Sequence, residues 1–177
     1  CGSGLEAIVT ASQQIQLGEV DVAVAGGVES MSRATFSSAV PRFGARMGNF
    51  ELNDDMLAAL HDPFGAGHMG VTAENVAAEF GIDRETQDIF AVESHKRAVS
   101  AIDKGYFEEQ IVPVEIKSRK GVTVFEQDEH ARADATVESM NGLRAAFQKD
   151  GSVTAGNASG LNDGAAAVIL TSENWAN

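Results

Sequence analysis

Cysteine is almost absent from this chain. Of 177 residues only Cys1 carries a thiol, so no internal disulfide framework can form, which agrees with a reducing compartment. No apolar run approaches the roughly 18 residues that a membrane-spanning helix requires, and no charged, apolar and small-residue leader precedes the first helical pattern. The expectation is therefore a soluble, cytoplasmic protein. Basic residues are scarce as well: 13 Lys and Arg stand against 26 Asp and Glu, a formal charge of −13. That balance argues against nonspecific binding to nucleic acid or to an anionic membrane surface. Sequence repeats and low-complexity tracts are also missing. What remains is 44% apolar, the share of a globular chain long enough for one sizeable domain or one domain with an insertion.

The single thiol is well placed for chemistry. Cys1 opens the string Cys-Gly-Ser-Gly, whose glycines permit a tight turn, and Leu5, Ile8, Val9, Ser12 and Ile15 then recur at helical spacing until Gly18. A thiol at a helix start faces unsatisfied N–H groups and the positive end of the helix dipole, both of which favour the reactive thiolate. Because the chain opens on this residue rather than on Met, it reads as a processed or truncated piece.

Helix, turn and buried strand alternate in the α/β manner. Asp21-Val-Ala-Val-Ala-Gly-Gly27 reads as a buried strand of a parallel sheet ended by two glycines. Residues 31–69 are irregular, as in a functional loop or an assembly element. Thr72 then reads as the cap of a helix burying Ala73, Val76, Ala77 and Phe80. Asp83 caps a second helix with Phe90, Ala91, Ser94, Ala98 and Ile102 inward. Residues 111–117 and 121–125 read as two strands, the first demoted to an edge by Pro113. A short helix over 137–141 and a final apolar strand over 165–170 complete the series. The economical topology has residues 1–30 and 160–170 in one core sheet, with 31–159 as a large excursion.

Each motif has a plain reading beside the functional one. The 154–164 loop carries three glycines, two asparagines and Ser159. It is either a tight structural turn or a backbone cradle for a polar ligand. It lacks the carboxylates of a calcium loop and the Lys of a Walker loop. His68 sits on a glycine-flexed loop, where a structural hydrogen bond competes with a catalytic role. No ligand set stands at metal spacing, so no metal is expected. His95 and His130 read as a helix-surface and a loop residue. Gly26-Gly27-Val28 lacks the third glycine of a dinucleotide loop. Basic residues gather locally at Arg42 with Arg46, at Lys117, Arg119 and Lys120, and at Arg132, where a solvated surface competes with a site for an anionic small ligand.

Four strings in order, Cys1-Gly-Ser-Gly, Ala25-Gly-Gly-Val-Glu-Ser-Met-Ser32, His68-Met-Gly-Val-Thr-Ala-Glu-Asn75 and Gly156-Asn-Ala-Ser-Gly-Leu-Asn-Asp-Gly-Ala-Ala166, resemble the thiolase family. The likeness is nearest to its acetyl-CoA acetyltransferases of the acetoacetyl-CoA-forming kind. The resemblance implies an α/β thiolase-like fold: a partial, layered amino-terminal core at 1–30 and 160–177 with an inserted α+β loop domain at 31–159. It implies Cys1 as the nucleophile that takes an acyl group as a thioester. It further implies Ser159 and the backbone around Ala158 on the pantetheine arm, His68 and Met69 along the acyl and pantetheine pocket, Phe147 and Leu161 against the ligand, and Arg132 near its nucleotide end. Acyl-CoA and CoA would be substrates rather than tightly bound cofactors, and the full-length protein a homodimer or homotetramer.

The family also uses an asparagine in an Asn-Glu-Ala-Phe string, a histidine in a Gly-His-Pro string and a second cysteine, none of which occurs here. The expectation is that this polypeptide alone does not condense acetyl-CoA. Two other classes use a leading cysteine. An amino-terminal-nucleophile hydrolase uses its own α-amine as base, which explains Cys1 but not the 157–164 loop. A lipoprotein acylated on Cys1 normally continues into a polar tether, whereas here a helical pattern starts at Leu5.

Overall fold

A computed structural model describes residues 1–177. In chain order the elements are α1 (Ser3–Gln16), β1 (Val22–Ser30), β2 (Phe36–Ser37), β3 (Asn53–Asp54) and α2 (Asp55–Ala59). They continue as β4 (His61–Asp62), β5 (Gly67–His68), α3 (Met69–Phe80), α4 (Arg84–Asp103), β6 (Val114–Ser118), β7 (Gly121–Phe125) and α5 (Val137–Asn141). The chain closes with β8 (Asp163–Thr171) and α6 (Glu173–Ala176). Two compact units result, one from Cys1–Ala59 with Leu161–Asn177 and the other from Leu60–Gly160. Residues 31–59, expected within the excursion, group with the first unit.

In the first unit β1 and β8 form an antiparallel ladder running from Val22 opposite Thr171 to Ser30 opposite Asp163. This corrects the expectation of a buried parallel strand ended by two glycines. The strand runs straight through Gly26 and Gly27, and of its residues only Ala25 is buried, while Val24 is 73% and Val28 79% exposed. An apolar run reads as buried when both sheet faces are covered; within this unit the ladder's chief cover is α1. The glycines serve close approach instead. A Cβ on Gly26 would meet the Ala166 carbonyl oxygen at 2.3 Å, and one on Gly27 would meet the Gly4 Cα at 3.2 Å.

Helix α1 lays Gly4, Ala7, Ile8, Ala11, Ser12 and Ile15 inward, whereas Leu5 is 69% exposed. The Asp163 carboxylate, at the start of β8, accepts from the Ser32 amide at 2.9 Å and from the Ser32 hydroxyl. These bonds, the hydroxyl foremost, hold it below the usual carboxylate range. It ties the turn after β1 to the far end of the ladder.

The second unit has a small core of Val92, Ala135 and Met140, with Ala91 and Val137 packed against it. Helix α4 starts as expected, the Asp83 carboxylate accepting from the Thr86 amide at 2.8 Å. Helix α5 has a full capping box between Thr136 and Ser139. The start of α3 differs from the expected Thr72 cap. His68 caps it, Nδ1 accepting from the Gly70 amide at 3.0 Å, and Gly81 closes it at φ 64°.

The inward faces also shift. On α3 the buried residues are Gly70, Glu74 and Ala77, while Ala73, Val76 and Phe80 are exposed. On α4 they are Asp88 and Val92, while Phe90 and Ser94 are exposed. In both helices a buried carboxylate with specific partners outranks an apolar side chain in choosing the face. The hairpin of β6 and β7 pairs Val114 with Phe125 through to Ser118 with Gly121, its first strand beginning after Pro113 rather than at Ile111. No helix is long and apolar enough to cross a membrane.

Candidate active site

In the first unit Cys1 is exposed with a free thiol. It precedes Gly2, which caps α1 without a side-chain hydrogen bond and whose carbonyl accepts from the Glu6 amide at 3.0 Å. The first-turn amides of α1 are thus directed toward the cysteine end of the helix.

In the second unit the expected residues fall into two groups. His68 stacks on Phe147 with ring centroids 4.8 Å apart at 20°, and His61 meets His68 edge-on at 5.1 Å. Met69 opens α3, 43% exposed, its amide donating to the Leu60 carbonyl at 2.8 Å. Gly70 is buried between them, and a Cβ there would lie 2.3 Å from the Phe147 ring. This group therefore depends on one residue without a side chain.

The other group lines a cavity of about 640 Å³ whose walls include His95, His130, Arg132, Met140, Leu143 and Ala158. Ser159 is exposed between Ala158 and Gly160, both of which face that cavity. Arg132 forms a bidentate pair with Asp134, at 3.2 Å from Nε and 3.1 Å from its terminal nitrogen. The hydrogen bonds and the opposite charges raise the guanidinium pKa and lower that of the carboxyl. Leu161 is 58% exposed and belongs to the first unit, not to this cavity wall. No group of three or more His, Cys, Asp or Glu side chains is arranged to hold a metal ion.

The glycine-rich loop is held from below by a buried polar network. Asp88, fully buried, accepts from Arg84 Nε at 2.7 Å and from Asn157 Nδ2 at 2.9 Å. Asn157 donates also to the Ser152 carbonyl at 3.0 Å, and its Oδ1 accepts from the Thr154 amide at 2.7 Å. Arg84 reaches on to the Met140 carbonyl in the last turn of α5 and to the Leu143 carbonyl just beyond it. One chain of side chains therefore joins α4, α5 and the 154–158 turn, three of the segments that wall the cavity, the other being 129–135.

A second clamp is Glu74, which accepts from the Ser152 amide at 2.9 Å, the Ser152 hydroxyl at 2.8 Å and the Val153 amide at 2.8 Å. Burial pushes its carboxyl up, but the hydrogen bonds outweigh burial and hold it below the ordinary value. Sequence reading assigns Asp88 and Glu74 no role of their own, and the two cavity histidines read only as a helix-surface and a loop residue. A signal existed in Gly156 and Gly160: added Cβ atoms would stand 2.6 Å from Leu143 Cδ1 and 2.4 Å from His130 Cε1. Those glycines are there for close packing against the cavity walls. His95, read as a surface residue, is half-buried and accepts the Arg132 amide on Nδ1 at 3.2 Å.

Solved structures share this fold. The acetyl-CoA acetyltransferase of Bacillus anthracis aligns with a TM-score of 0.90 at 51% identity, over 99% of this chain and 45% of that one. Human mitochondrial 3-ketoacyl-CoA thiolase in complex with CoA aligns with a TM-score of 0.86 at 41% identity, over 99% and 44%. The fold is that of the thiolases, a family of acyltransferase enzymes. The chain belongs to that family: the model described as "Thiolase, N-terminal domain" matches residues 1–174. Beta-ketothiolase BktB of Cupriavidus necator is 61% identical over 171 residues, 96% of this chain and 43% of that protein. The acetyl-CoA acetyltransferase of Pseudomonas aeruginosa is 50% identical over 174 residues, 97% of this chain and 44% of that protein. The chain thus spans less than half the length of these relatives.

Proposed function

We propose that this chain carries the nucleophile and much of the coenzyme A site of an acyltransferase that joins two acetyl-CoA molecules into acetoacetyl-CoA, or cleaves the product with CoA. In the first half-reaction the Cys1 thiolate attacks the thioester carbonyl, forming acetyl-S-Cys1 and expelling the CoA thiolate, which takes up a proton. In the second, a further acetyl-CoA loses its α-proton. The resulting carbanion attacks the acetyl group, forming the carbon–carbon bond and returning Cys1 as thiolate.

On this reading Ser159 and Ala158 hold the pantetheine arm, and His68, Met69, Phe147 and Leu161 border the acyl and pantetheine path. Arg132 meets the nucleotide end without any tightly bound cofactor. The observation that carries the reading is the cavity of about 640 Å³ flanked by Arg132, Ala158 and Gly160 in a chain of thiolase family. The CoA-bound human relative supports the same ligand class. A cytoplasmic homodimer or homotetramer belongs to the same proposal for the whole protein.

The chain itself holds no second cysteine and no Gly-His-Pro string to remove the α-proton, so the first half-reaction is the one within its reach. A missing oxyanion donor alone costs on the order of a hundredfold or more in rate. The test is to incubate the purified chain with acetyl-CoA and map the products. The expected outcome is an acetyl group on the Cys1 peptide, absent in Cys1→Ser, without acetoacetyl-CoA. Condensation at ordinary enzyme rates, or acetylation that ignores Cys1, would overturn the proposal.

A further inference from the structure

We propose that His95 is a positioning residue for the coenzyme's nucleotide end, holding the Arg132 backbone through an unprotonated Nδ1 and releasing it when the imidazole takes up a proton. The inference rests on the coenzyme reading above and assigns that site a sensitivity to pH. Its basis is geometric. The Arg132 amide donates to His95 Nδ1 at 3.2 Å across 37 residues of chain, so the bond requires a lone pair on that nitrogen. A proton there sets two N–H groups against each other.

The His95 ring stacks with His130 at 6.1 Å and 26°, and His130 in turn leaves no room for a Cβ on Gly160. One helix side chain thus braces both the 130–132 strip and the end of the glycine-rich loop. Both line the same cavity.

The charged and titratable neighbours define what protonation does. His130, Glu129, Arg132 and Asp134 face the cavity beside His95. Farther along, Lys96 on α4 is close enough to act electrostatically on Glu138 of α5. A charged His95 repels the Arg132 guanidinium and a charged His130, and attracts Asp134, the carboxylate now paired with Arg132. The two repulsions and the opposed N–H groups work against the neutral arrangement, while the pull on Asp134 keeps that carboxylate near α4 and competes with its pair to Arg132. Imidazole is the side chain whose unperturbed charge change lies between about pH 5 and 8, the range over which the bond is to be tested.

The experiment uses the full chain and CoA itself. In nitrogen-15 spectra the Arg132 amide should shift with pH between about 5.5 and 8, and His95→Gln, whose amide oxygen still accepts but does not titrate, should flatten that shift. CoA affinity by calorimetry should fall about five- to tenfold more on acidification in the wild type than in His95→Gln, the scale of one lost hydrogen bond. Ionisation of the ligand's phosphate contributes equally to both proteins and cancels in the comparison. His95→Ala should weaken CoA about fivefold even near pH 8, with rescue by His95→Gln.

An Arg132 amide indifferent to pH in the wild type, or equal pH ratios in wild type and His95→Gln, overturns the proposal. Failure of the wild type to bind CoA near pH 8 instead overturns the coenzyme reading and the coupling that depends on it. The amide titration then still decides the His95–Arg132 bond on its own.

Discussion

Replacing Asp88 with Ala should loosen the glycine-rich loop and cost the second unit about 3 kcal/mol. The pair it breaks is close: at 2.7 Å between Arg84 Nε and Asp88 Oδ2, an effective dielectric near 20 gives a gross attraction of about 6 kcal/mol. Desolvation of a carboxylate with no exposed surface offsets much of this. Measured losses on breaking a buried pair are about 3–5 kcal/mol. The lower end applies here because the Arg84 side chain is 27% exposed and keeps its two carbonyl acceptors.

Asn157 loses one of its partners in the same stroke, so the effect should reach the loop. Native-state hydrogen exchange reads this directly, with the Thr154 and Ala158 amides, bonded to Asn157 Oδ1 and the Thr154 carbonyl, exchanging faster by two to three orders of magnitude. Asp88→Asn should lose less, because it keeps one acceptor and the volume. In a double-mutant cycle, Asp88→Ala and Asn157→Ala should couple by about 1 kcal/mol or more. Unchanged exchange at Thr154 and Ala158 in Asp88→Ala, with a loss under about 1 kcal/mol, would refute the view that this network holds the cavity wall.

Two further outcomes follow from the same geometry. Gly70→Ala, a change that helix propensity alone favours by about 1 kcal/mol, should instead destabilise by about 1–3 kcal/mol because its Cβ meets the Phe147 ring at 2.3 Å; thermal denaturation gives the sign. Glu74 is held below its ordinary value of 4.5, so the stability it supplies is fully present above that pH and is lost as pH falls through its lower folded value. Glu74→Gln should therefore be less stable near neutrality by about 2 kcal/mol and show a flatter acid limb in urea midpoints measured across pH.

Local signals in the sequence carried over well where they were chemically specific. Asp83 caps α4, α5 spans Val137–Asn141 and the last strand runs through 165–170, because caps, glycine stops and β-branched runs act over a few residues. Helix faces did not carry over. Reading apolar residues as inward assumes that every apolar stripe finds cover, yet Leu5 on α1, Phe80 on α3 and Phe90 on α4 are 69–77% exposed. Buried carboxylates at 74 and 88 took the inner positions instead, a choice visible only once their distant partners, 69 to 79 residues along the chain, are in place.

The nucleophile candidate and the thiolase strings were legible because they are contiguous. The cavity was legible only in part, since His95 and His130 come from a helix and a loop that spacing alone does not join. The strand direction of β1 was missed because a two-stranded ladder between chain segments so far apart leaves no turn to announce it.

The meeting of Gly4 with Gly27 makes the first turn of α1 a fulcrum set by main chain alone. A contact through bare backbone involves no rotamer at Gly4 or Gly27, so the turn that follows Cys1 is placed by main chain rather than by side-chain packing. Drift on the outer surface of that helix is then free to accumulate, while a methyl at Gly27 presses on the Gly4 Cα at 3.2 Å and shifts the turn that follows the leading residue.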